Sequence, residues 1–223
     1  MSESPKPPFR LAVIPVTPFR QNASILFQDE TKLGTVVDPG GDIEQILTAV
    51  DKLEVTIKNI VITHGHIDHA GGATDLKEIL QARYDRPVPV EGPHKDDQFI
   101  MDEIPITAMR FGITGARPLT PDRYLTEGET VSIAGLDFEV LHCPGHSPGS
   151  LVYVERNAAF VLVGDVLFQG SVGRTDFPYG DHAALIQSIK NKLFPLGDSV
   201  AFLPGHGNMS TIGAERSGNP YVK

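Results

Sequence analysis

Apolar residues along the chain fall in short runs closed by glycine, proline or histidine, a pattern that predicts many short strands and few helices. Residues 9–16, 24–28 and 34–37 read as three strands, and Asp38-Pro39-Gly40-Gly41 stops the third. Asp42 then reads as an N-cap, with Ile43, Ile46, Leu47 and Val50 at helical spacing behind it. Residues 59–63 form a compact apolar strand. Gly71-Gly72 follows, and Leu76, Ile79 and Leu80 mark a second helix. A short strand is expected at 88–90. Phe99, Ile100 and Met101 suggest a short helix, and 104–119 reads as a long loop. Strands follow at 130–133 and 136–141, joined at Ala134-Gly135, and then at 151–154 and 160–163. Residues 184–194 are helical, with Leu185, Ile186, Ile189 and Leu193 on one face. Residues 200–203 make the last strand.

Early strand pairs suggest antiparallel sheet, and later strand–helix alternation suggests parallel additions. The expected class is therefore α+β, with mixed sheets covered by helices. Residues 1–8 are polar and proline-rich and read as a loose tail. With 223 residues, 40% of them hydrophobic, residues 9–223 are expected to form one domain around a sizeable core.

Charge narrows the function. Twenty-eight acidic against 19 basic residues give a formal charge of −9, which repels nucleic acid and anionic membrane surfaces. The expected partner is a small molecule, and the chain a monomer or small homo-oligomer. One cysteine, Cys143, excludes an internal disulfide. The N-terminus has no apolar signal core, and no apolar run approaches the roughly 18 residues of a span. A cytoplasmic protein is the expectation.

The chemistry concentrates in His64-x-His66-x-Asp68-His69, directly after the apolar strand at 59–63. Imidazoles at i and i+2, with a carboxylate and a third imidazole close behind, suit a borderline cation such as zinc. Three further apolar strands run out into Gly turns bearing His146, Asp165 and His206. Ligand sites in sheet proteins gather beyond the carboxyl ends of strands, so four strand ends converging on one site is the economical reading. His64, His66 and His146 make a nitrogen set for one metal; Asp68, His69 and His206 serve a second. Asp165 bridges, because a carboxylate has two oxygens. His142 reads as a supporting residue, His94 as surface, and His182 as local capping or packing. Cys143 reads as a small buried thiol rather than a nucleophile. No phosphate-cradling Gly-rich loop ending in Lys-Ser/Thr is present.

These residues resemble the metallo-β-lactamase superfamily over nearly the whole chain. The resemblance runs from Asp38-Pro39-Gly40 through the histidine cluster, Cys143-Pro144-Gly145-His146-Ser147-Pro148-Gly149, Gly164-Asp165 and Pro204-Gly205-His206-Gly207. It implies a four-layer αββα sandwich with metals at one edge, held by the same seven residues. Within the superfamily the chain is similar to the glyoxalase-II-type hydrolases, through Gly173-Arg174-Thr175-Asp176-Phe177-Pro178 and Glu215-Arg216 with Asn219-Pro220. That likeness implies hydrolysis of a thioester such as S-lactoylglutathione by a hydroxide bridging two divalent metals, zinc first and iron or manganese after it. Asp68 and Asp165 would orient the attacking water, and Arg174 would contact substrate. Full-length glyoxalase II carries a helical C-terminal domain that grips glutathione. Here 17 residues follow His206 (223 − 206), so the resemblance does not extend to that domain. Persulfide dioxygenase, with one iron on the same fold, shares Gly173-Arg174-Thr175-Asp176-Phe177 and is the alternative. Its last histidine sits in a Pro-Ala-His-Asp-Tyr context, unlike Pro204-Gly205-His206-Gly207 here.

Overall fold

The computed structural model describes residues 8–223. The expected tail at 1–8 therefore lies, but for Pro8, outside the described residues. In chain order the strands and helices are β1 (Arg10–Val16), β2 (Gln21–Phe27), β3 (Leu33–Val37), α1 (Ile43–Leu53), β4 (Thr56–Val61), α2 (Ile67–Ala70), α3 (Ala73–Tyr84), β5 (Val90–Glu91), α4 (Gln98–Asp102) and α5 (Ile104–Phe111). They continue with β6 (Thr130–Ile133), β7 (Leu136–His142), β8 (Leu151–Glu155), β9 (Phe160–Gly164), β10 (Leu167–Phe168), β11 (Ser171–Val172), α6 (His182–Ser188), β12 (Ala201–Pro204), β13 (Ser210–Thr211) and α7 (Ile212–Gly218).

Two mixed sheets result. The first has the order β1-β2-β3-β4-β5, antiparallel up to β3 and parallel from there. The second has the order β13-β12-β9-β8-β7-β6, with β12 and β9 the parallel pair. The period-2 alternation of strand side chains explains why so many strands are apolar on both faces. In β2, Ala23, Ile25 and Phe27 point to a core shared with Ile46 and Val50 of α1 and Leu76 and Leu80 of α3. Leu26, between them, points the other way, to a core shared with Phe138, Val140, Leu151, Tyr153 and Leu162 of the second sheet. In β8 and β9, Val152, Val154, Val161 and Val163 turn outward again, onto Leu185 of α6, Ile189 and Leu193 of its continuation, and Ile212 of α7. Helix, sheet, sheet, helix: the layers are the αββα sandwich.

Several local expectations need correction. Residues 104–119 are not all loop, because α5 occupies Ile104–Phe111. Pro105 sits in its first turn, where no amide donor is needed, and Ile104 and Ala108 are its buried contacts. Asp42 makes no capping hydrogen bond to α1; its carboxylate instead accepts from the Thr17 amide at 2.7 Å. The chain does not stop forming structure at 203, since β13 and α7 follow. The turn pair β10–β11 was also not anticipated. No helix among the described residues is long and apolar enough to cross a membrane.

The sheets are tied together at one edge. The Asn22 amide donates to Gly205 O at 2.7 Å, and its side chain donates to Pro204 O and Gly207 O. This fastens the end of β12 to the start of β2 and brings the carboxyl ends of β4, β7, β9 and β12 to a common edge.

Candidate metal centre

Beyond β4, Thr63 and His64 lead into α2, whose N-cap is His66 and whose single turn carries Asp68 and His69. The turn beyond β7 delivers His146, the end of β9 Asp165, and the end of β12 His206. The expected seven side chains therefore do meet. His64 Nε2, His66 Nδ1 and His146 Nε2 lie 3.0, 3.2 and 2.9 Å from one another. Zn–N bonds of about 2.0–2.1 Å in a tetrahedron would put such nitrogens about 3.3 Å apart. Asp68, His69 and His206 form a second set, and His64, His69 and Asp165 a third between them. His206 Nε2 is 3.2 Å from Asp68 Oδ2 and 3.6 Å from Asp165 Oδ2.

Two buried atoms test whether a cation fits. His69 Nε2 and Asp165 Oδ1 face each other at 3.3 Å, yet neither makes a hydrogen bond. Buried polar atoms without partners are costly and rare, and a cation between them would satisfy both. Burial, assisted by the other imidazoles, lowers the pKa of His64, and it lowers that of His66 to about 3. Burial also lowers His146. All three are thus neutral and offer lone pairs. His69 differs: burial opposes its charge, but the Asp165 and Asp38 carboxylates outweigh it and raise its pKa. The Asp165 carboxyl is lowered, with His69 outweighing burial.

The opposite edges of His64, His66, His69 and His146 are anchored, which fixes tautomer and aim. His64 Nδ1 meets Thr63 Oγ1 at 3.1 Å, and His146 Nδ1 donates to Arg174 O at 2.8 Å. His66 Nε2 meets the Tyr179 hydroxyl at 2.8 Å, and His69 Nδ1 donates to Asp38 Oδ2 at 2.8 Å. Asp38 also accepts from the Thr63 amide and hydroxyl, each at 2.7 Å. Asp97 is buried and accepts from the Gly65 amide, the Ser147 hydroxyl and the Gly149 amide at 2.8, 2.7 and 2.5 Å. It clamps the His64-Gly65-His66 turn to the loop carrying His146. The residue reading missed Asp97 and Tyr179, and took Asp38 only as a strand stop and family marker. An Asp in a polar run carries no signal of what it will touch across space.

Gly205 is required by close approach. A Cβ there would collide with Asp165 Oδ1 and His69 Cε1.

The supporting residues fall less neatly. The Arg174 guanidinium is exposed, bidentate to Asp176 at 2.7 and 2.7 Å, and lies 4.5 Å over the Phe177 ring. Its side chain borders the cleft, and its carbonyl holds His146. His94, expected on the surface, is half-buried and stacks on His142 at 4.5 Å. His182 does not cap α6; Asp181 does, accepting from the Ala184 amide. Cys143 is fully buried, and burial pushes its thiol pKa up to about 12.

Above the cradle opens a cleft of about 820 Å³. Its walls are α4 and α5 on one side and residues 168–179 on the other, with His66, Asp68, His146, Asp165 and His206 at its floor.

Comparison with known proteins bears on the family and the fold. The family model for the metallo-beta-lactamase superfamily matches residues 16–206. Hydroxyacylglutathione hydrolase GloC of Haemophilus influenzae is 41% identical over 213 residues, covering 95% of this chain and 97% of that protein. The BLEG-1 B3 metallo-beta-lactamase structure superposes with a TM-score of 0.82 at 35% identity, covering 96% of this chain and 99% of that one. TTHA1623, solved in a di-iron-bound form, superposes with a TM-score of 0.81 at 33% identity, covering 94% and 99%.

Proposed function

Because the chain belongs to the metallo-beta-lactamase superfamily, we propose that its cradle serves a binuclear thioester hydrolase of glyoxalase-II type, with residues 9–223 as one catalytic unit. The observation that carries the reading is the seven-donor cradle at the floor of the cleft, with His69 Nε2 and Asp165 Oδ1 left unpartnered inside it. His64, His66 and His146 would hold one divalent ion, Asp68, His69 and His206 the second, and Asp165 would stand between. Two ions in that position would supply a water acid enough to ionise near pH 7 and positive charge opposite a developing oxyanion.

The chain's own residues do the rest. Asp68 and Asp165 accept hydrogens from the attacking water and orient it. Asp38, Thr63, Tyr179 and the Arg174 carbonyl hold the imidazoles in the required tautomers. Around the cradle the cleft presents Phe168, Val172, Phe177 and Tyr179. None is a carboxylic acid, the cleft's one carboxylate outside the cradle, Glu103, standing on the α5 wall, and burial pushes the Tyr179 hydroxyl up to about 12. A leaving thiolate, with a pKa of about 8.5, departs without a strong acid, whereas an amine does not. A thioester suits this site better than an amide. The kinship with hydroxyacylglutathione hydrolase GloC supports a hydroxyacyl thioester, S-lactoylglutathione being the first to try.

Zinc leads the metals to test, with iron and manganese beside it, since five imidazoles and two carboxylates suit each. The di-iron form of TTHA1623 supports including iron.

The test combines metal analysis of the purified protein with hydrolysis of S-lactoylglutathione, a β-lactam control and oxygen uptake with glutathione persulfide. Two ions per chain and thioester turnover, both lost in Asp165→Ala, are expected. One iron per chain with oxygen consumption would replace the hydrolase with the persulfide dioxygenase. Unchanged turnover in Asp165→Ala would sink the assignment.

A further inference from the structure

We propose that the α4–α5 wall of the cleft selects the thiol carrier, Arg110 taking a carboxylate and Glu103 an amino group of a short zwitterionic peptide thiol. This rests on the hydrolase reading in one respect: it takes the cleft above the cradle as the place where the thioester lies.

Outside the cradle, three ionic side chains line the cleft: Glu103, Arg110 and Arg174. Arg174 is already neutralised by its fork to Asp176. Glu103 and Arg110 are exposed, and among the described residues neither side chain has an ion-pair or hydrogen-bond partner. Glu103 stands at the N-cap position of α5, its side chain making no capping hydrogen bond, and Arg110 lies in the last turn. Glu103, Thr107 and Arg110 are spaced four and three residues apart, so they share one helix face, the face that borders the cleft. That face therefore offers an anion at one end, a hydroxyl in the middle and a cation at the other.

Seven residues at about 1.5 Å each separate the two charges by about 10 Å along the helix. They are too far apart to neutralise one another. An extended chain of about three residues spans about 10 Å, so one ligand of that size reaches both. Its amino group would meet Glu103 and its carboxylate Arg110, while Thr107 has a hydroxyl for an amide between them. A carrier bearing several phosphates is a poorer match. It would meet one unpaired cation, an unpaired carboxylate and a chain of net charge −9.

The experiment is calorimetric titration with S-methylglutathione, a thioether that cannot be hydrolysed, beside the neutral S-methyl-N-acetylcysteamine. It uses the metal-loaded protein and its Arg110→Ala, Arg110→Lys and Glu103→Gln variants. These positions are exposed, and melting temperature checks that folding is kept. Arg110→Ala and Glu103→Gln should each weaken S-methylglutathione about three- to ten-fold, as expected for losing one charge-assisted contact at a solvated site. Arg110→Lys should recover most of the loss, and the neutral thioether should bind all four proteins alike. The KM for S-lactoylglutathione should rise in Arg110→Ala. No binding of S-methylglutathione by the wild type, or equal binding by all four proteins, would overturn the proposal. If charge-dependent binding is present but no thioester is hydrolysed, the carrier assignment stands and the hydrolase reading falls. Turnover with unchanged KM in Arg110→Ala does the reverse.

Discussion

Asp38 Oδ2 lies 2.8 Å from His69 Nδ1, on the far side of the imidazole from the cradle. Asp38 stands at a left-handed φ of 51°, a conformation a non-glycine residue adopts at a cost of about 1 kcal/mol or more. That backbone aims one carboxylate at Thr63 and His69 together. Asp38→Ala should leave His69 free to turn and lower metal affinity about 10- to 100-fold. Competition with a chromophoric chelator measures it, and an unchanged affinity would mean that the pair does not orient His69.

Gly205→Ala should be among the most damaging single-methyl changes in the chain. Its Cβ enters the space held by Asp165 Oδ1 and His69 Cε1. Overpacking of that kind costs about 1–3 kcal/mol, and the displaced atoms belong to His69 of the candidate second metal set and to Asp165 between the two sets. We expect lower metal content together with a lower melting temperature. Full metal content would show that the cradle is looser than its geometry.

Asp97 gives a dependence on pH. Burial raises its pKa from 3.8 to about 6, against three donated hydrogen bonds that pull it down. The folded state therefore holds this proton more tightly than the unfolded chain. The stabilisation is present below pH 4 and is lost as pH rises through 6. The shift corresponds to about 3 kcal/mol at most. Urea unfolding of chelated wild type and Asp97→Asn should show the wild type losing stability relative to the variant from pH 4 to 6. Parallel curves would contradict this.

Cys143 should behave as packing. With its thiol raised to about 12 and no exposure, it should resist a thiol reagent at pH 8 in the folded protein and react once unfolded. Rapid reaction in the native state would mean that the loop bearing His146 opens readily.

The cradle residues were readable because each lies where an apolar run meets a glycine or histidine, a local signal repeated four times. The layers were readable for a related reason: runs such as 160–163 are apolar at every position, which only a strand buried on both faces requires. The helix α5 was not, because Pro105 within its first turn and Gly112, Gly115 and Pro118 after it give an eight-residue segment the punctuation of a loop. Its burial comes from packing that no local pattern records.

What the sequence by itself determined, then, was the candidate donor set and the α+β class, since each depends on residue type and near-neighbour spacing. Tertiary structure alone decided that Asp38 and Asp97 support the cradle, that Tyr179 holds His66, and that Arg174 is tied to Asp176. It also decided that Glu103 and Arg110 line the cleft without partners. The contacts of Asp38, Asp97 and Tyr179 join side chains 25 to 113 residues apart in the chain, and hydrogen bonds and charge pairing act through space, not along the sequence.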